Sequence, residues 1–342
     1  MDIVNQYKEL NESFEKVMVY HIGIDAGFFT EYTYMLNAML FCLQNKIKFV
    51  LYSDDANFRC EKGWTDYFES FCEEVHDDFH HFYNKHRLPS WIRILKDMDW
   101  TVAKWKLKCS YLNIMGSLYV RKYYGKHVLL NHDVEFDSKQ HFYVPELGID
   151  GGYLEAFKVM VDITWRLNLS IKNEVLGLME ELHLPDRYVG CQIRGGDKVI
   201  ETELLSPVHY YKILCNKDNS FKDVFVLTDD ICIYQLLQKD YPRIHWYTLC
   251  SSNEKGYVNS SFSRQMGKKK KEQMIRFIAS MEILKHSSFF IGSITTGPSL
   301  FLLKLFYPNH LPVDCSLEQF DEVYSLSMSE RCKIAKDYLN ND

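Results

Sequence analysis

The sequence predicts an α/β protein built from two doubly wound, Rossmann-type domains facing a cleft, with a helical insert in the first. Three observations carry that reading. Short β-branched and aromatic runs alternate with segments of helical length along both halves of the chain, the pattern of a parallel sheet covered on both faces. A proline-bearing break at Leu184-Pro185-Asp186 separates two stretches, 1–185 and 186–342, each long enough for a domain. Just after that break the apolar run Tyr188-Val-Gly-Cys-Gln-Ile193 ends abruptly in Arg194-Gly-Gly-Asp-Lys198, so a buried strand delivers charge to a glycine loop.

In the first half, Val17–Ile22 reads as a strand, Gly23–Gly27 as a glycine-bearing turn, and Glu31–Gln44 as a helix. Ile47–Tyr52 is a second strand, and the polar run from Ser53 leads into a helix at Trp64 or Thr65. Asp77–Tyr124 is rich in His, Trp, Arg, Lys and Tyr with broken periodicity, and forms the helical insert. His127–His132 is a further strand, and Tyr153–Leu182 a long helical region.

The second half repeats the alternation. Helices are expected at Pro207–Cys215, Ile231–Gln238, Lys268–Lys285 and Pro298–Phe306, and strands at Val224–Thr228, Ile244–Thr248 and Phe289–Gly292. Ser251–Gly267 reads as a polar loop, and Leu317–Leu339 as one or two helices packing across the domains.

Composition bounds the function. The 342 residues are 46% hydrophobic and 25% charged, as in an ordinary globular protein, and the 23 Tyr and 22 Phe serve mainly packing. A net charge of -6 argues against a nucleic-acid binder. The ten cysteines show no C-x-x-C pair and no zinc spacing, so free thiols in a reducing compartment are expected. The N-terminus lacks the features of a signal peptide and no apolar run has the length of a transmembrane segment, which points to a cytoplasmic protein. Walker A, H-E-x-x-H, G-x-S-x-G and G-x-G-x-x-G motifs are all absent, which disfavours redox and hydrolase chemistry.

Three strand ends of the second half converge on one sheet edge: Arg194–Lys198, Thr228-Asp229-Asp230 and Gly292-Ser-Ile-Thr-Thr-Gly-Pro-Ser299. An Arg fork, a glycine loop and a hydroxyl-rich helix start together suit a nucleotide phosphate. Each also has a plainer use: an Arg194/Asp197 ion pair, helix caps by Asp229 or Asp230, and caps by Thr295, Thr296 or Ser299. Lys268–Lys271 suits a solvated helix start better than a pyrophosphate contact. Asp97-Met-Asp99 has the D-x-D form of a metal site but no preceding strand, and no metal is expected.

With these residues in view, Cys191-Gln-Ile-Arg-Gly-Gly-Asp-Lys198 resembles the H-V-R-R-x-D-K motif of the α1,6-fucosyltransferases, the core-fucosylating and nodulation-factor enzymes. Gly63-Trp64 leading into Phe68, Val226-Leu-Thr-Asp-Asp230, and Ile283 to Thr296 agree with that family in order and spacing. The resemblance implies a GT-B-like pairing of domains, with 1–185 on the acceptor side and 186–342 binding a nucleotide sugar. It implies inverting, metal-independent transfer of L-fucose from GDP-fucose to a glycan hydroxyl, α1,6 ahead of α1,2, with no further cofactor.

Carried over residue by residue, Arg194 would bind the β-phosphate, with Asp197 and Lys198 fixing that loop. Asp229 and Asp230 would lie near the guanosine, Thr295 and Thr296 on the phosphate side, and Tyr211 where the family places a tyrosine after its motif. Glu203 or Glu201 would assist deprotonation of the acceptor, bracketing Thr202, where the family carries a glutamate. The implied partners are a nucleotide sugar and an oligosaccharide. Three positions depart from the pattern: Gln192 replaces the family's first histidine, Gly195 its second arginine, and Ser280 an acid. No counterpart of its SH3-like domain follows Phe306. These departures keep two alternatives in view: another nucleotide-sugar donor, or a non-catalytic glycan- or nucleotide-binding protein.

Overall fold

The computed structural model describes residues 2–23, 26–85, 107, 111, 114–115, 118, 128–130, 139–195, 205–217, 220–265 and 267–340. Its first sheet is entirely parallel. Helix α1 (Ile3–Glu12) precedes strand β1 (Lys16–His21), α2 (Phe28–Gln44) follows it, and β2 (Ile47–Tyr52), β3 (Glu73–Glu74), α3 (Asp78–Lys85) and β4 (Val128–Leu130) come next. The sheet order is β3-β2-β1-β4, with Val19 opposite Val50 and Leu130. β1 therefore has β2 on one side and β4 on the other, a point where the winding reverses.

Local chemistry explains two features that the pattern of strands did not reveal. Val4 and Tyr7 lie on the buried face of α1, and Asn11 brackets Phe49 with two hydrogen bonds, donating from Nδ2 to its carbonyl (2.9 Å) and accepting from its N–H (2.7 Å). That zips the helix to β2. Around Trp64 the chain makes a single 3₁₀ turn, Trp64–Asp66, rather than entering a longer helix. Asp66 gathers the N–H groups of Cys60, Glu61, Lys62 and Gly63 on its carboxylate, and this closes the loop on itself.

A hairpin, β5 (Phe142–Val144) with β6 (Ile149–Gly151), then leads to α4 (Tyr153–Thr164) and α5 (Leu169–Glu181). The long helical region is thus two helices. They break at Trp165–Asn168, where the Asn168 side chain accepts from Ile171 N–H as the N-cap of α5.

The second sheet is parallel throughout as well, in the order β11-β10-β7-β8-β9. Its elements in chain order are β7 (Val189–Ile193), α6 (Pro207–Lys217), β8 (Asp223–Thr228), α7 (Ile231–Asp240), β9 (His245–Tyr247), α8 (Asn259–Ser263), α9 (Lys268–Lys285), β10 (Phe290–Gly292), α10 (Gly297–Phe306), β11 (His310–Pro312), α11 (Leu317–Val323) and α12 (Met328–Leu339). β7 is buried along its whole length, as expected of a central strand covered on both faces. The chain winds from β7 to β9 in one direction and returns to β10 and β11 in the other, so the switch point lies between β7 and β10. Ligands of open α/β sheets bind outside the strand carboxyl ends at such a point.

The two sheets share a helical layer. Phe29 of α2 lies 4.5 Å from Phe301 of α10, centroid to centroid, and Trp165 and Phe277 pack on the same ring group. Trp64 stacks on Phe68 at 4.3 Å inside this core. Burying each such ring contributes roughly 1.5–3 kcal/mol, so packing accounts for these aromatics. Polar contacts cross the same layer: Trp165 Nε1 donates to Glu282, and Lys158 Nζ to the Tyr307 carbonyl at 2.7 Å. After α11, Tyr324 stacks on Tyr153 of α4 at 5.6 Å. The nine cysteines described are free thiols. No helix of the described residues is long and apolar enough to cross a membrane.

Candidate functional site

Where β7 and β8 end, register places Ile193 opposite Thr228, so Arg194 and Asp229 emerge side by side. Arg194 Nη1 lies 3.3 Å from Asp229 Oδ2, and its Cζ sits 5.0 Å from the centre of the Tyr257 ring. The guanidinium is thus held between a carboxylate and an aromatic face. Both oxygens of Asp229 are engaged: Oδ1 accepts from Gly195 N–H at 2.6 Å, and Oδ2 accepts from Tyr257 N–H at 2.9 Å. Removing two charges from water offsets much of what their attraction contributes, so the pair orients Arg194 more than it stabilises the fold.

Gly195 lies against Asp229 and Asp230. A Cβ there would lie 3.0 Å from Asp230 Cβ and 3.3 Å from Asp229 Oδ1, so a side chain would require these acids to give by a few tenths of an ångström.

Beyond β10, the Ser293–Thr296 loop is tied down from below. Asp314, wholly buried after β11, accepts from Ser293 Oγ and from Ile294 N–H (2.9 Å). Ser293 Oγ and Thr295 Oγ1 are 2.6 Å apart, and Arg331 of α12 donates to the Ile294 carbonyl at 2.7 Å. Burial pushes the Asp314 carboxyl up to about 6, with the bonds from Ser293 and Ile294 opposing that rise. Thr296 Oγ1 donates to Gln192 Oε1 at 2.7 Å across the switch point. Gln192 thus links β7 to the start of α10, whose amino terminus points its N–H groups at the same edge.

The structure brings together Arg194, Asp229, Asp230, Thr295 and Thr296 at one sheet edge. Asp230 caps α7, its Oδ1 accepting from Cys232 N–H at 2.9 Å, so the plainer of its two sequence readings describes its contact. Tyr211 is not part of this group. It stacks on Tyr241 at 3.8 Å, just ahead of β9 and so at the opposite end of the strands. Ser280, in place of the family's acid, is buried and donates back to the Arg276 carbonyl within α9. Asp197, Lys198, Glu201, Thr202 and Glu203 lie outside the described residues, as do Asp97 and Asp99.

Sequence reading missed Tyr257. It belongs to the stretch expected to be a polar loop, which instead carries α8 and is anchored by Arg276 to Glu254 and by Gly256 N–H to the Asp229 carbonyl at 2.7 Å. A lone tyrosine between serines and asparagines gives no periodic signal. The polar groups at the carboxyl ends of β1 and β2 were missed for the same reason. There Asp55 accepts from Tyr52 OH at 3.2 Å and pairs with His81, and Asn84 Nδ2 donates to the Ile22 carbonyl at 3.0 Å. His21 Nε2 and His80 Nδ1 are 2.9 Å apart, and burial lowers the pKa of His80. Gly23, at φ 124°, turns the chain there; a Cβ would meet Asn84 and Asp55 at 2.6 Å.

This wall and the Arg194 edge meet where α2 and α10 begin, since a Cβ on Gly297 would lie 3.3 Å from Phe29 Cβ. Among the described residues, no group of three or more His, Cys, Asp or Glu is placed to hold a metal. Arg194 thus emerges two residues beyond Gln192, whose side chain bonds the start of α10, at the carboxyl-end edge of the sheet where open α/β folds hold ligands.

No protein-family model and no curated protein sequence matches the chain. Among solved structures it is similar to the fucosyltransferase NodZ from Bradyrhizobium, at 12% identity over 85% of this chain and 92% of that one, with a TM-score of 0.47. It is similar to POFUT1 in complex with GDP-fucose, at 12% identity over 87% and 98% of the two chains, TM-score 0.45. A mutant of Arabidopsis thaliana FUT1 in complex with GDP matches at 11% identity over 89% and 72%, TM-score 0.47.

Proposed function

We propose that the chain is an inverting, metal-independent glycosyltransferase that moves L-fucose from GDP-fucose to a glycan hydroxyl, with α1,6 linkage ahead of α1,2. The observation that carries this is Arg194, held by Asp229 and Tyr257 at the carboxyl end of β7, two residues beyond the Gln192 bond to the start of α10. As the bond from the anomeric carbon to the β-phosphate breaks, negative charge gathers on the departing GDP. A guanidinium fixed in advance stabilises that charge without reorganising, and the α10 terminus adds N–H dipoles on the same side. Asp229 acts by aiming Arg194. Asp230, Thr295 and Thr296 shape the donor loop, and Asp197 and Lys198 complete it.

The nucleotide sugar is assigned to 186–342 and the acceptor to 1–185, whose His21, Tyr52 and Asp55 groups form the facing wall. Glu203 or Glu201 is the base that takes the acceptor proton. Transfer from GDP-fucose to a panel of oligosaccharides, read by mass spectrometry with a chelator present, tests the reading. Product that disappears in Arg194→Ala supports it, and undiminished turnover in that variant rejects the role given to Arg194. Gly195 favours one competing reading, a different nucleotide-sugar donor. UDP- or ADP-sugar turnover above that with GDP-fucose would establish it.

A further inference from the structure

The loop that leads from β10 into α10 is held by residues from far along the chain, and the hold converges on one residue. Ile294 buries its side chain in the core. Its N–H donates to Asp314 Oδ1, just after β11, at 2.9 Å, and its carbonyl accepts from Arg331 Nη1 of α12 at 2.7 Å. Both polar backbone groups of Ile294 are therefore satisfied by side chains, 20 and 37 positions further on. Arg331 is fixed in turn, its Nε donating to the Leu326 carbonyl at 3.3 Å. On one side of Ile294, Ser293 Oγ donates to Asp314 Oδ2 and accepts from the Thr295 N–H at 3.0 Å. On the other, Thr296 reaches Gln192 of β7 and opens α10. Ser293, Thr295 and Thr296 are buried.

We propose that Arg331 is a positioning residue for the nucleotide diphosphate. Working against Asp314 at the opposite end of the same residue, it sets the backbone of Ile294 before the donor arrives. Through that residue it sets the Thr295-Thr296 step and the first N–H groups of α10. This role rests on the donor reading above. Fixing one residue's backbone costs the equivalent of about five- to thirtyfold in an equilibrium constant. The folded chain already carries that ordering, so binding does not. A connecting loop alone needs no such device, because water satisfies the backbone carbonyls of a surface turn. The last helix, α12, thereby becomes part of the donor site without touching the ligand.

The test is calorimetric titration of GDP into the full chain and into Arg331→Met and Arg331→Lys, with a thermal melt of each. Methionine keeps a long apolar stem and removes the bond to Ile294, whereas lysine keeps a charged donor. GDP is expected to bind about tenfold more weakly to Arg331→Met, with partial recovery in Arg331→Lys. The donor KM is expected to rise by the same factor, while kcat at saturating GDP-fucose stays within about twofold. Hydrogen exchange at Ile294–Thr296 is expected to quicken in Arg331→Met and to slow again with GDP bound. An unchanged GDP affinity in folded Arg331→Met would overturn the proposal, and a lowered melting temperature beside it would make the contact structural only. If the methionine variant does not fold, Arg331→Lys with unchanged GDP affinity and unchanged exchange would overturn it equally. Failure of the unaltered chain to bind GDP would reject the donor reading itself, and this role with it.

Discussion

Replacing Lys304 by methionine is expected to stabilise the protein at neutral pH and to flatten its alkaline stability profile. Lys304 is 3% exposed on α10. Its ammonium lies 5.1 Å from the ring centres of Tyr153 and Phe157, 5.8 Å from that of Tyr324, and 3.4 Å from Tyr153 OH. Burial, reinforced by Arg331, pushes its pKa down from 10.5 to about 7. Because the folded pKa is lowered, the unfolded chain holds this proton between about 7 and 10.5 while the folded chain does not. Unfolding therefore takes up a proton in that window, and stability rises with pH from about 7 to about 10.5. At roughly 1.4 kcal/mol per unit, the shift corresponds to at most about 5 kcal/mol, from which attraction to the rings takes back about 2. Lys304→Met removes the charge and keeps an unbranched apolar stem, so a gain of about 3 kcal/mol at pH 7 is expected. Urea titrations of both proteins at pH 7 and pH 9.5 decide it. A variant less stable at both values, or one that keeps the wild-type pH slope, would refute the reasoning.

Asp314→Asn is expected to alter the acid side. The carboxyl is raised from 3.8 to about 6, so the folded chain retains its proton in that window, and stability from this group falls as pH rises through it. Wild type is thus expected to lose about 2 kcal/mol relative to the variant between pH 4 and pH 6, read by thermal melts in matched buffers. Gly195→Arg restores the family's arginine in sequence only. Its Cβ crowds Asp229 and Asp230, so GDP affinity is expected to fall about tenfold, the equivalent of one charge-assisted hydrogen bond, in a titration on protein of unchanged circular dichroism. Tighter GDP binding by that variant would contradict the packing argument.

The sheets were legible in the sequence because buried parallel strands leave short β-branched and aromatic runs bounded by turn residues; Ile47–Tyr52, and Val189–Ile193 before its glycine loop, are examples. Elements held by single side chains were not. Asn11 docks α1 by bracketing one backbone residue, and Asp66 stops a helix by collecting four N–H groups, and neither leaves a periodic trace. Short edge strand β11 was hidden in the same way, since His310–Pro312 is too brief to register. At the site, Arg194, the Asp229-Asp230 pair and the hydroxyl-rich loop after β10 stood out because their residue types change abruptly at strand ends. The partner that aims Arg194 depended on register: Ile193 pairs with Thr228, and only that pairing sets Asp229 beside it. Tyr257 reaches the same group through a loop whose path depends on Glu254 and Arg276, far apart in the sequence.

The central claim is that an oriented Arg194 at the β7–β10 switch point binds the diphosphate of a guanosine nucleotide. Calorimetric titration of the intact chain with GDP, UDP and ADP, repeated on Arg194→Ala and Asp229→Asn, tests it most directly. The account predicts a clear preference for GDP, its loss in Arg194→Ala, and a weaker but measurable affinity in Asp229→Asn, where the guanidinium is present but no longer aimed. Equal affinity for the three nucleotides, or GDP binding untouched by Arg194→Ala, would contradict it.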